Sequence, residues 1–186
     1  MNLELYSMLL LPSDEVAMEI NNKLNQALGK RINLPHITLG KPFHSTKKNI
    51  RTEVKSWLEM QRPFRFNLDE IENFDSGIIY LTSSNQDDQD KLRDLFYGIK
   101  SVAAGNIEEN IGFLPHLTLI YRGTKKSDIN QTISILKEHF DEGIPFEINK
   151  IKINQSLDNG RWKDLGFFNL GEGIDYSIQE MIAQTV

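Results

Sequence analysis

His36 and His116 occupy the same short string, Pro35-His36-Ile37-Thr38-Leu39 and Pro115-His116-Leu117-Thr118-Leu119. An imidazole with an unperturbed pKa of about 6.5 exists as acid or base near neutral pH. Two of them can therefore take one proton and give another in a single step, without a metal. Strict alternation after each proline predicts a strand over residues 34–40 and another over 114–120, with the histidines on them. On a strand, residues i and i+2 share a face, so His36 stands with Thr38 and His116 with Thr118, while the aliphatic residues face the other way. At about 3.3 Å per residue, His and Thr of one string lie roughly 6.5 to 7 Å apart at the backbone, close enough for both side chains to reach one phosphate.

One such string alone reads as a hydrogen-bonded strand histidine beside a turn. Average residue usage puts its chance occurrence at on the order of one in a few hundred thousand per position. Two copies in 186 residues therefore point to function.

The surrounding pattern explains how the two strings come to be related. Residues 3–11 are short and apolar, and Ser13, Asp14 and Glu15 then offer an N-cap with early acids. Helical spacing follows through Val16, Ile20, Leu24 and Leu28 to a C-cap at Gly29. After the first Pro-His strand, an amphipathic helix is expected over 47–60, then one strand with a bulge over 64–74. Past the Asp75-Ser76-Gly77 turn the order restarts: a strand at 78–82, a helix entered at Asp87-Asp88 and ending near Gly105, and the second Pro-His strand. A helix capped by Ser127-Asp128 runs to Phe140, and a hairpin joins 145–157 to 162–170 through Asp158-Asn159-Gly160. Residues 3–74 and 77–157 thus repeat one order, 80 residues out of step, which predicts an internal duplication within one bilobal domain spanning 1–186. Two similar lobes with a cleft between them are expected to bring corresponding residues face to face. The tail, 171–186, has no legible role.

Hydrophobic residues at 39% and charged residues at 25% are those of a globular chain with a real core. No apolar run approaches the roughly 20 residues of a membrane helix, and the opening MNLELYSMLLLPSDE lacks the basic flank and cleavage site of a signal peptide, so a cytoplasmic protein without a membrane partner is expected. With no cysteine, disulfides, thiolate nucleophiles and Cys-based zinc sites are excluded. A net charge of -5 argues against a protein that wraps long nucleic acid, but permits a small anionic substrate at a locally positive site.

The paired His-x-Thr segments, their separation, and the strand and helix order around them resemble the 2H phosphoesterase superfamily, which includes RNA 2',3'-cyclic phosphodiesterases and bacterial 2'-5' RNA ligase-like proteins. The resemblance covers residues 3–170, and residues 153–170 are similar to that family's closing hairpin. It implies an α+β, LigT-like fold of two pseudo-symmetric lobes of antiparallel sheet with flanking helices. It also implies His36 and His116 as the catalytic pair, with His36 the acid and His116 the base, and Thr38 and Thr118 as donors to the phosphate oxygens. No cofactor or metal is expected.

Arg122, on the face of His116 and Thr118, is a candidate to neutralise phosphate, and Lys41 a weaker one because its alternation phase points away. Tyr6, Phe43, Tyr80 and Tyr121 are candidates for stacking a base. His44 and His139 have no expected role. The expected enzyme is a monomeric phosphodiesterase acting on a 2',3'-cyclic phosphate or a 2'-5'-linked or cyclic oligonucleotide, with a nucleotide, oligonucleotide or RNA end as partner. A 2'-5' RNA ligase and a non-catalytic nucleotide-binding module are the alternatives. A part in handling or evading oligonucleotide messengers is compatible with the small acidic chain.

Overall fold

The computed structural model describes residues 4–40, 42–45, 47, 49–104, 113–121, 126–157 and 161–172. Chain order is β1 (Glu4–Leu10), α1 (Asp14–Leu28), β2 (Ile37–Thr38), β3 (Phe43–Ser45), α2 (Ile50–Glu59), β4 (Phe64–Leu68) and β5 (Glu70–Asn73). There follow β6 (Ile79–Thr82), α3 (Gln86–Ala104), β7 (Leu117–Ile120), α4 (Ile129–His139), β8 (Ile144–Ile148), β9 (Lys150–Ser156) and β10 (Trp162–Asn169). This is the expected α+β class.

Local chemistry sets the ends of α1. Ser13 Oγ accepts from the Val16 amide at 3.3 Å, and Gly29 takes the left-handed conformation at φ 65° while its amide donates to Asn25. Elsewhere the elements depart from the sequence pattern. The strand expected over 64–74 is two strands in two sheets, broken at Asp69, whose carboxylate accepts from the amide and hydroxyl of Ser84. Residues 145–157 likewise divide into β8 and β9, because β8 leaves the main sheet to pair with β4. The helix expected from Lys47 begins only at Ile50, and Lys47 instead reaches across to Glu53 and the Val102 carbonyl. Ser127 and Asp128 do not cap α4 through their side chains; Ser127 Oγ donates to Asp128 at 2.7 Å, in a short 3-10 turn.

Among the described residues, eight strands form one sheet in the order β10-β9-β1-β2-β7-β6-β5, with β3 also on β1; β4 and β8 form a second, and the pairings are antiparallel. Like pairs with like at β2–β7 and β4–β8, as a pseudo-twofold axis requires. The two segments of like order, 3–74 and 77–157, are nevertheless intertwined. β1 takes its outer neighbour, β9, from the second repeat, and β6 takes β5 from the first. Helices cross over in the same way, α1 packing on α4 and α2 on α3. The structural halves are therefore not the sequence halves.

Alternation divides the sheet into a dry and a wet face. In β1, Tyr6, Met8 and Leu10 are buried, whereas Leu5, Ser7 and Leu9 are only partly covered. Ile37, Leu39, Leu117, Leu119, Ile79, Leu81, Ile71, Ile151, Ile153 and Phe168 continue the buried face. Helix α2 packs against β10 and α4 against β5, which leaves the other face to hold the site.

Candidate active site

Each Pro-His string reaches its strand later than alternation suggested. Strand pairing begins at Ile37 and Leu117, so His36 and His116 lie one residue before their strands instead of on them. The reason is local. Proline has no amide hydrogen to give a ladder, and each imidazole hydrogen-bonds the backbone just ahead of it: Nδ1 of His36 lies 2.8 Å from the Leu34 carbonyl oxygen, and Nδ1 of His116 lies 2.8 Å from that of Leu114. A carbonyl only accepts, so Nδ1 carries the hydrogen in both rings. Nε2 of each ring is therefore the nitrogen without that hydrogen, its lone pair available when the ring is neutral.

The register between the strings completes the symmetry. Ile37 opposes Leu117 across β2 and β7, so by continuation His36 lies across from Thr118 and Thr38 across from His116. All four line one open cavity of about 620 Å³ at the centre of the sheet's wet face. That volume lies within the range of small-molecule sites.

The two imidazoles have different surroundings. Phe74 meets the His116 ring edge-on at 5.0 Å, and Tyr80 lies 5.1 Å away, itself stacked on Phe74 at 4.3 Å. Burial in this aromatic corner holds His116 below the ordinary histidine range, against the Leu114 hydrogen bond, which raises it; the neighbouring His36 lowers it further. His116 is thus biased toward the neutral, proton-accepting form. Burial, reinforced by a 3.0 Å hydrogen bond to Glu72, pushes the Tyr80 phenol far above its usual value, so Tyr80 stays protonated and donates to that carboxylate.

The chain entering each motif is pinned from a helix. Asn21 on α1 holds Ile32 from both sides: its Oδ1 accepts from the Ile32 amide at 2.7 Å and its Nδ2 donates to the Ile32 carbonyl at 3.1 Å. On α3, Arg93 Nε donates to the Phe113 carbonyl at 3.1 Å. Thr82 Oγ1 donates to the Pro115 carbonyl at 2.9 Å. These bonds fix the loops that deliver Leu34, Leu114 and the two rings.

Of the remaining candidates, Tyr121 is 70% exposed and lines the cavity. Tyr6 and Phe43 do not: both are buried on the dry face, stacked on each other at 5.9 Å, because they directly oppose one another on β1 and β3. Tyr80 is buried beside His116, and its ring does not offer a free face to a base. Arg122 and Lys41 lie outside the described residues. Two lining residues escaped the sequence reading, Lys30 and Arg31, the only cations of the cavity wall among the described residues. Their signal was a Lys-Arg pair between the Gly29 cap and the first motif, in a chain otherwise acidic. Among the described residues, no group of three or more His, Asp or Glu side chains is placed to hold a metal, and no helix is long and apolar enough to cross a membrane.

Residues 12–159 match the 2'-5' RNA ligase superfamily. Among solved structures, Escherichia coli LigT in complex with 3'-AMP is 15% identical over 91% of this chain and 99% of its own, with a TM-score of 0.59. A protein described as a phosphoesterase is 16% identical over the same shares, with a TM-score of 0.57. Escherichia coli LigT in complex with NADP+ is 14% identical, with equal coverage and a TM-score of 0.57. At these identities the likeness is one of fold. No curated protein matches the chain in sequence.

Proposed function

The chain belongs to the 2'-5' RNA ligase superfamily, and we propose on that footing that it hydrolyses a phosphodiester by metal-independent acid and base catalysis between His36 and His116. The observation that supports the reading is the matched pair of Nδ1 hydrogen bonds to Leu34 and Leu114, which leaves Nε2 of each ring for proton transfer. The substrate class is a 2',3'-cyclic phosphate or a 2'-5'-linked or cyclic oligonucleotide. That Escherichia coli LigT was crystallised with 3'-AMP and with NADP+ supports a nucleotide.

In the proposed reaction, His116 Nε2 accepts a proton from water as the water oxygen bonds to phosphorus. The opposite phosphorus–oxygen bond breaks, and His36 Nε2 gives its proton to the departing ribose oxygen. Thr38 and Thr118, each across the sheet from the other motif's histidine, donate hydroxyl hydrogen bonds to the non-bridging oxygens as charge builds there. Lys30 and Arg31 supply local positive charge on an acidic protein.

The test is a panel of nucleoside 2',3'-cyclic phosphates, 2'-5' oligoadenylates and cyclic dinucleotides, assayed with and without EDTA, with products identified by mass. Hydrolysis of at least one class at a rate EDTA does not change is expected. Loss of all activity in EDTA would refute the mechanism. Joining of a 5'-hydroxyl end instead of hydrolysis would move the reading to a ligase, and binding without turnover to a binding module.

The environment of His116 sets the pH dependence. A base must be neutral, so the acid limb of the rate climbs as pH rises through the His116 pKa. Because that pKa is lowered, the acid limb of kcat/KM is expected at a midpoint below about 6.5. Phe74→Ala opens the corner to water, which lets the charged ring be solvated and should move the limb upward. A midpoint that does not respond to Phe74→Ala would remove His116 as the base.

A further inference from the structure

The catalytic residues share their face of the sheet with a basic and aromatic region at its far end. Directly opposed residues of antiparallel strands point to the same side, and the registers form one continuous row. Thr38 opposes Leu9, Leu9 opposes Lys152, and Lys152 opposes Phe167. Phe167 is 50% exposed, and the ammonium groups of Lys150 and Lys152 lie 5.0 and 5.8 Å from its ring centre. Lys152 is also held by Asp164 at 2.8 Å, so Lys150 is the more available cation. Trp162, 46% exposed, opposes Ser156 on the same face.

The opposite end of this face has the reverse character. Beyond the cavity, β6 and β5 present Tyr80 and then Glu72 and Glu70, two carboxylates on one side of a strand. An anionic chain leaving the catalytic pair is repelled in that direction and attracted toward β9 and β10. From Thr38 to Phe167 is three strand spacings, on the order of 14 Å. That exceeds the span from a nucleotide's phosphate to its own base, but suits a chain continued by further nucleotides. Exposed aromatics beside lysines bind such chains by base stacking and phosphate attraction, without reading sequence.

We propose that the β9–β10 end of the wet face holds the nucleotides adjoining the scissile phosphate, so that the preferred substrate is a short oligonucleotide and not a mononucleotide. This deepens the phosphodiesterase reading and rests on it. Phe167 stacks one base, Lys150 pairs with an adjacent phosphate, and Leu9 and Lys152 floor the path between. Two lysines suffice for a few phosphates, in keeping with a net charge of -5.

The experiment measures binding, which does not depend on turnover. Fluorescence anisotropy would compare a 5'-labelled ribohexanucleotide ending in a 3'-phosphate with a labelled nucleoside 3'-monophosphate. The proteins are the unmodified chain, Phe167→Ala and Lys150→Glu, with circular dichroism confirming the fold. The oligonucleotide is expected to bind the unmodified chain at least about tenfold more tightly, and Phe167→Ala to reduce that ratio by roughly tenfold, the size of one lost base stack. Lys150→Glu should reduce the ratio and flatten its salt dependence. Equal affinity for the two ligands, or a ratio unchanged in both variants, would overturn the proposal. So would a polyglutamate peptide that displaces the oligonucleotide at equal concentration, because the region would then be a general anion or peptide surface. If the ratio responds as expected while no phosphodiester is hydrolysed, the binding region stands and the catalytic reading fails.

Discussion

Replacing either His36 or His116 by alanine is expected to lower kcat by about 10² to 10⁴, the contribution of one positioned general acid or base. Each histidine lines the cavity and is held at Nδ1 by a backbone carbonyl, so the substitution removes the proposed proton carrier while leaving the aliphatic neighbours that pack the sheet. The cost to folding should be small, on the order of 1 kcal/mol for the lost hydrogen bond. The double variant should be scarcely worse than the more damaged single one, since proton removal and proton delivery serve one transition state and their losses do not add. Steady-state rates on the best substrate of the panel, with thermal melts as the control, decide the matter. Near-wild-type turnover in either single variant would remove that histidine from the mechanism, and multiplying losses would show that the two act independently.

The second large effect is on stability. Gly40 closes the first motif at φ 73°, with its amide donating to the Thr38 carbonyl at 3.1 Å. A Cβ there would stand 2.1 Å from a ring carbon of Phe96, which is fully buried on α3 between Tyr97 and Phe113. Gly40→Ala therefore meets two costs, a left-handed backbone unfavourable by about 1 to 2 kcal/mol and overpacking by about 1 to 3 kcal/mol. A loss of about 3 kcal/mol is expected, or roughly 6 to 12 °C in Tm for a chain of this size. Gly29→Ala is the matched control. Its φ is 65°, but nothing lies within 4 Å of the added carbon, so only the backbone cost of about 1 to 2 kcal/mol remains. Equal destabilisation by the two substitutions in urea titrations would show that Phe96 yields and that the contact does not set the end of β2.

What could be read in the chain, and what could not, follows the range of the interactions involved. The amphipathic period of α1, its Ser13 and Gly29 ends, and the alternation placing Thr38 opposite in facing to Ile37 are nearest-neighbour matters, and they appear as written. The His ring positions were off by one residue because the Leu34 and Leu114 carbonyls bond to imidazoles instead of a neighbouring strand. The breaks at Asp69 and Asn149 were hidden because β4 and β8 leave for each other, a choice made between segments some 80 residues apart. Tyr6 and Phe43 read as candidates to stack a base, but β3, a three-residue strand with no pattern of its own, pairs with β1, and both rings are buried.

By itself the sequence determined the chemistry on offer: two matching His and Thr pairs, one order of expected elements met twice, no thiol, and a net charge of -5. Those are properties of residue type and spacing. Only the tertiary structure decided how the pairs meet, since the strands exchanged between repeats bring β2 against β7 and set each histidine across from the other motif's threonine. It also decided which histidine is the drier, through Phe74 and Tyr80 closing over His116. Solvation depends on neighbours gathered from distant parts of the chain, and no local pattern records it.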